Sequence, residues 1–160
     1  MEKPEWTVGL SLTERCNEQC NHCYIGRKRI WKEAEYRTKE LTRTQVNELI
    51  PHFKETNVTR MNFGGGEAAL HPEFIEIAKD LHNAGIKLSL TTNGSTFSII
   101  HNHLDLFNDI GVSIDLPSSE EHGEFRGNPK AFQWAKHTLE ELIKAGISNE
   151  LVTCIMSNNY

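Results

Sequence analysis

The chain has 160 residues, 38% of them apolar and 24% charged, with a formal net charge of −5. That length holds one globular domain with a real core. The negative balance argues against a general nucleic-acid or anionic-membrane surface. No apolar run reaches membrane-spanning length, and the charged start Met1-Glu2-Lys3-Pro4-Glu5 is no signal peptide, so a cytoplasmic location is expected.

In chain order, the first predicted strand is Trp6 to Thr13. A polar loop follows, Glu14-Arg15-Cys16-Asn17-Glu18-Gln19-Cys20-Asn21-His22-Cys23. Residues 25–40 are a charged connection with Arg27, Lys28, Arg29, Lys32, Glu33 and Glu35, read as a solvated loop or short exposed helix. Thr42 with Gln45 three residues on makes a capping box. Val46, Leu49, Ile50 and Phe53 then give an amphipathic helix, which Pro51 should kink or shorten. The second strand, Val58 to Phe63, ends in Gly64-Gly65-Gly66-Glu67.

Pro72 is read as the first residue of the second helix. Phe74, Ile77, Ala78 and Leu81 form its buried face, and Gly85 is its stop. The third strand, Ile86 to Thr91, leads into Thr92-Asn93-Gly94. A third helix is expected over Ser98 to Asp109, ending near Gly111, and a fourth strand over Val112 to Leu116. Pro117 to Gly127 reads as a polar loop. The longest helix opens at Asn128-Pro129 and stops at Gly146. A fifth strand covers Leu151 to Met156.

Strand–helix units with short connections imply parallel strands joined by right-handed crossovers. An open doubly wound sheet and part of a barrel both fit. Both place ligands at the carboxyl ends of the strands, and the unusual residues lie there.

Cys16, Cys20 and Cys23 cannot arise from core periodicity. In a reducing compartment such a cluster points to a metal or redox role, not to disulfides. Thiolates select zinc, copper(I) or iron–sulfur clusters. Structural zinc wants four protein ligands, and Cys154, the fourth cysteine, reads as a small buried hydrophobe within a strand. A [4Fe–4S] cube on three thiolates leaves one iron open to a small molecule.

The spacing Cys16-(three)-Cys20-(two)-Cys23, continued by Tyr24, resembles the signature of radical S-adenosylmethionine (radical SAM) enzymes. His22-Cys23-Tyr24 is similar to the variant in members that modify peptides or mature tetrapyrrole cofactors. Gly65-Gly66-Glu67, Thr92-Asn93-Gly94, Ser113-Ile114-Asp115, Glu121-His122 and Arg126-Gly127 resemble the later landmarks, in order. Ala68 stands where that family usually has proline, and Leu116 where it usually has glycine.

The resemblance implies an α/β fold, a partial (βα)6 radical SAM barrel with about five parallel strands and four helices. It implies that Cys16, Cys20 and Cys23 hold a [4Fe–4S] cluster whose fourth iron takes the amino and carboxylate groups of S-adenosylmethionine (SAM). Gly65, Gly66 and Glu67 would hold the SAM amino group. Asn93, Ser113 and Asp115 would reach ribose hydroxyls or the methionyl carboxylate, Arg126 that carboxylate, and His22 the adenine. The implied chemistry is reductive SAM cleavage, with an external electron donor, and hydrogen abstraction from a peptide or cofactor-precursor substrate.

Plainer readings stand beside these. The glycines and Thr92-Asn93-Gly94 could be turns, Glu67 a surface carboxylate and Arg126 a surface ion pair. The family core has six strands, so residues 1–160 are expected to form a core domain lacking its last βα elements and any carboxyl-terminal extension. An open fifth-strand edge would then suit a partner chain or self-association. The rival function is a non-catalytic cluster- or zinc-binding module serving as electron carrier or subunit.

Overall fold

The structure is a computed structural model that describes residues 3–25, 40–157 and 159. The charged connection from Arg27 to Glu35, and Asn158, lie outside the described residues. Among the described residues, five strands form one sheet: β1 Trp6–Thr13, β2 Val58–Gly65, β3 Lys87–Thr92, β4 Asp109–Ser113 and β5 Asn149–Val152. All neighbours are parallel and the order is β1-β2-β3-β4-β5. Strands added always on the same side, through crossovers of one hand, carry their helices on one face of the sheet. That is barrel-type winding; a doubly wound sheet would reverse its order.

The described α-helices are α1 Arg43–Glu55, α2 Phe74–Asn83, α3 Phe97–Ile100, α4 Ser119–Arg126 and α5 Ala131–Lys144. Two 3-10 segments, Ala68–Leu70 and His101–Leu106, complete the elements of the described residues. Alternation separates the two faces of the sheet. Met61 pairs in register with Leu88, and Phe63 with Leu90 and then Ile110. These buried side chains form one core with Phe74, Ile77, Ala78 and Leu81 of α2 and Ala135 and Leu142 of α5. The alternate positions carry Arg60, Ser89, Thr91, Gly111 and Ser113, which are polar or small. Arg60 bridges Ser89 and Asp109 there at 2.9 and 2.7 Å, tying three strands at their amino ends. Among the described residues, no helix is long and apolar enough to cross a membrane.

Several boundaries differ from the sequence reading. The capping box at Thr42 forms, but α1 runs through Pro51 to Glu55. Pro51 and Asn47 both lie on the exposed face, where water can satisfy the carbonyl that the proline leaves unbonded. Leu49 also remains 36% exposed. Pro72 precedes α2 instead of opening it; Glu73 is the cap residue.

The expected helix over Ser98 to Asp109 breaks at His103, and Asp109 starts β4. Gly111 belongs to that strand, pairing with Glu150, and a Cβ there would sit 2.8 Å from Val152 Cγ2 on β5. The expected loop Pro117 to Gly127 contains α4, capped by Ser118, whose hydroxyl accepts from Glu121 N at 3.2 Å. Cys154, expected inside a buried strand, is exposed and lies beyond β5.

Candidate functional site

A cavity of about 650 Å³ opens at the carboxyl ends of the strands, and all eleven residues singled out in the sequence line it. They are Cys16, Cys20, Cys23, His22, Gly65, Gly66, Glu67, Asn93, Ser113, Asp115 and Arg126. Their convergence follows from parallel strands: each strand's carboxyl end, and so each following loop, reaches the same rim.

The geometry gives several of them work inside the protein. Glu67 is 1% exposed, so it is not a surface carboxylate. Its Oε1 accepts from the Thr92 and Thr96 hydroxyls at 2.6 and 2.5 Å, and its Oε2 from Asn93 N at 2.8 Å. Its own N–H donates to Arg15 O at 2.7 Å. Burial raises its carboxyl pKa against these hydrogen bonds. Glu67 is therefore a buried knot joining the cysteine loop and the ends of β2 and β3.

The glycines beside it admit the protein's own backbone. Gly66 N donates to Thr13 O at 2.9 Å, and a Cβ on Gly66 would lie 2.8 Å from backbone carbons of Glu14 and Arg15. Gly65 has φ +104, and a Cβ there would lie 2.6 Å from Thr13 O. Glycine at these positions lets the start of the cysteine loop lie against the end of β2.

Asn93 also turns toward that loop. Its Nδ2 donates to Asn17 Oδ1 at 3.0 Å and lies 3.9 Å from Cys16 Sγ, while its Oδ1 accepts from Ser95 N at 2.9 Å. Asp115 and Arg126 hold each other, Oδ2 to Nε, at 2.6 Å, both buried. The Asp115 N–H donates to His122 Nδ1 at 3.2 Å, which places the neutral imidazole's proton on Nε2. His22 stacks on Phe125 at 4.8 Å with 21° between the planes. Ser113 is 8% exposed on the cavity wall.

Glu18, Tyr24 and Cys154 are among the cavity residues that sequence reasoning did not place in the site. Glu18 is buried between two cysteines; an acid inside a thiol loop was the available signal. Tyr24 reaches back so that its hydroxyl lies 3.4 Å from Gly65 O. Cys154 lines the cavity, its N–H donating to Asp115 Oδ1 at 2.9 Å; only the true end of β5 reveals this.

The donor set fits an iron–sulfur cluster. Three thiols border one cavity, Arg126 lies close enough to Cys20 to favour its thiolate, and space for a ligand lies beyond them. Burial pushes the Cys20 thiol up to about 12, ahead of Arg126's opposing pull. Burial likewise raises Cys16 to about 11, although its residue keeps solvent contact. Both thiols are neutral at physiological pH without a metal, so metal binding must release their protons.

A sequentially ordered parallel sheet with thiols and a cavity at its carboxyl rim defines a cofactor-binding βα domain of the partial-barrel class. The chain belongs to the Radical SAM superfamily, whose pattern matches residues 10–158. It is 29% identical over 157 residues to an AdoMet-dependent heme synthase of Oleidesulfovibrio alaskensis, covering 95% of this chain and 39% of that protein. It is also 29% identical over 170 residues to an S-adenosylmethionine-dependent nucleotide dehydratase of a Fibrobacter species, covering 96% and 48%. The chain thus spans less than half the length of these relatives. The fold matches Streptococcus suis SuiB bound to its precursor peptide SuiA with TM-score 0.70 at 14% identity, over 98% of this chain and 35% of that one.

Proposed function

We propose that this chain is the cluster- and SAM-binding core of a radical SAM enzyme. Cys16, Cys20 and Cys23 hold a [4Fe–4S] cluster, and SAM lies in the adjoining cavity. The observation that carries this reading is the meeting of all three thiols with the ends of β2, β3 and β4 around one cavity of about 650 Å³, within the usual range for cofactor sites. When bound, the cluster and SAM would supply reductive cleavage of SAM to methionine and a 5′-deoxyadenosyl radical, with one electron from an external donor, for hydrogen-atom abstraction from substrate.

The chain's own residues orient and enclose. The Glu67 knot fixes the loop after β2, Gly66 keeps the cysteine loop against it, and Arg126 supplies a buried positive charge beside Cys20. The surfaces left for a ligand are the Ser113 and Thr91 positions on the polar sheet face, the backbone at Gly64 to Gly66, and His22. His22 is held flat against Phe125, as a residue bordering a planar base would be.

The substrate is a peptide or a cofactor precursor. The relatives' names support both: one is a heme synthase, and the SuiB structure carries a precursor peptide. Residues 1–160 act as one core domain, and cytoplasmic residence would keep the thiols reduced.

Anaerobic reconstitution with iron and sulfide, followed by dithionite and SAM, tests the reading. A brown protein that releases 5′-deoxyadenosine is expected. A fully loaded protein that releases none counts against it, and so does a colourless protein binding one zinc through the three cysteines.

A further inference from the structure

Glu18 sits between Cys16 and Cys20 with only 7% of its surface exposed. Its Oε2 lies 3.3 Å from Arg126 Nη1 and 3.6 Å from Cys20 Sγ, while its Oε1 has no hydrogen-bond partner among the described residues. Arg126 turns its Nε the other way, to Asp115 Oδ2 at 2.6 Å. Asp115 Oδ1 in turn accepts the Cys154 N–H at 2.9 Å. One guanidinium therefore bridges a carboxylate of the cysteine loop and a carboxylate at the end of β4. Two buried carboxylates around one cation are tolerable only while the cation stays.

A backbone seam runs alongside. Gln19 N donates to Arg126 O at 2.9 Å, and Asn21 N to Phe125 O at 3.0 Å. Asn128 Nδ2 donates to Asn17 O at 3.0 Å. Gly127 has φ +64, and a Cβ there would approach Gln19 O to 2.9 Å. Residues 17–21, which belong to no strand or helix, thus dock on the carboxyl end of α4.

We infer that Arg126 is a positioning residue for the cysteine loop, locking Glu18 and with it the Cys20 segment onto Asp115 and α4. The Nε and Nη1 of the guanidinium are engaged by Asp115 and Glu18, groups of the protein itself, whatever Nη2 meets in the cavity that Arg126 lines. It deepens the proposed function in one respect, that Cys20 is taken as a cluster ligand. The docking itself stands on contacts within the chain.

The test has two arms and three variants: Glu18→Gln, Arg126→Gln and Arg126→Lys. In the metal-free protein, amide hydrogen exchange at Gln19 and Asn21 reports the docking. Both glutamine variants are expected to speed that exchange about tenfold or more, the scale of a lost charge-assisted hydrogen bond. Arg126→Lys, which keeps a cation in the gap, should return part of the protection. In the reconstituted protein, the electron paramagnetic resonance spectrum of the reduced cluster should already differ from wild type before SAM is added.

Unchanged exchange in both glutamine variants overturns the proposal. So does a wild-type SAM-free spectrum in Arg126→Gln with loss only of the SAM-induced change, which would make Arg126 a cofactor contact. If Arg126→Gln does not fold, the near-isosteric Glu18→Gln decides. A wild-type protein that takes up no cluster counts against the proposed function, while the exchange arm still decides the positioning role.

Discussion

The Glu67 carboxylate and the Thr92 hydroxyl meet at 2.6 Å, and this buried contact joins the loop after β2 to the end of β3. Thr96 and the Asn93 N–H close on the same carboxylate. The motif that reads as a ligand contact in the sequence also ties together, in the fold, the loops that line the cavity.

Removing that knot should unfold more than it inactivates. Glu67→Ala strips three buried donors of their acceptor, and each unsatisfied group costs about 1–3 kcal/mol. Urea denaturation is expected to show a loss of roughly 3 kcal/mol or more, with Glu67→Gln substantially milder because an amide oxygen can still accept.

The two glycines Gly64 and Gly66 should part company on substitution. Nothing lies within 4 Å of a Cβ at Gly64, whereas a Cβ at Gly66 meets the Arg15 and Glu14 backbone. Gly66→Ala should cost about 1–3 kcal/mol, the scale of overpacking, and lower iron uptake on reconstitution. Gly64→Ala should stay within about 1 kcal/mol of wild type, both read from thermal or urea unfolding.

Acid should release the anchor of the cysteine loop. Burial pushes the Glu40 carboxyl up, but hydrogen bonds from Arg15 and Thr13 outweigh it and hold it below the ordinary range. Arg15 Nε and Nη2 meet the two Glu40 oxygens at 2.7 and 2.9 Å. A depressed folded-state pKa stabilises above the unfolded value and loses that contribution as pH falls through the folded one. Wild type should therefore exceed Glu40→Gln by about 1.5–3 kcal/mol at neutral pH, and the two should converge as pH falls below about 4.5. Urea midpoints across that range read it.

Thiol labelling should sort the four cysteines. In the metal-free protein, iodoacetamide should modify exposed Cys23 and Cys154 before buried Cys20, whose thiol is held protonated. After reconstitution Cys16, Cys20 and Cys23 should be protected and Cys154 should still react. Mass spectrometry of the labelled peptides reads the pattern, and protection of Cys154 in their place would contradict the ligand set.

Much of the fold was legible because its signals are local. The bounds of β1, the Thr42 capping box and the buried face of α2 need only alternation, hydrogen-bonding side chains and helical period. The failures came where one residue type serves two structures. Gly111 looked like a helix stop and is a strand residue shaved to admit Val152. Ser118 with Glu121 carried a cap for α4, but the apolar content of that stretch was too low to draw attention to a helix.

The sequence by itself determined the parallel βα architecture and the loops that would meet at one rim, and it pointed to the three thiols proposed as the cluster's ligands, because thiol chemistry and chain periodicity are written residue by residue. Only the tertiary structure decided what those loops do for one another. Glu67, Asn93, Asp115 and Arg126 each bond to a group 11 to 108 residues away in the chain. A buried polar group must find such partners, and no local pattern states whether the partner is a ligand or the protein itself.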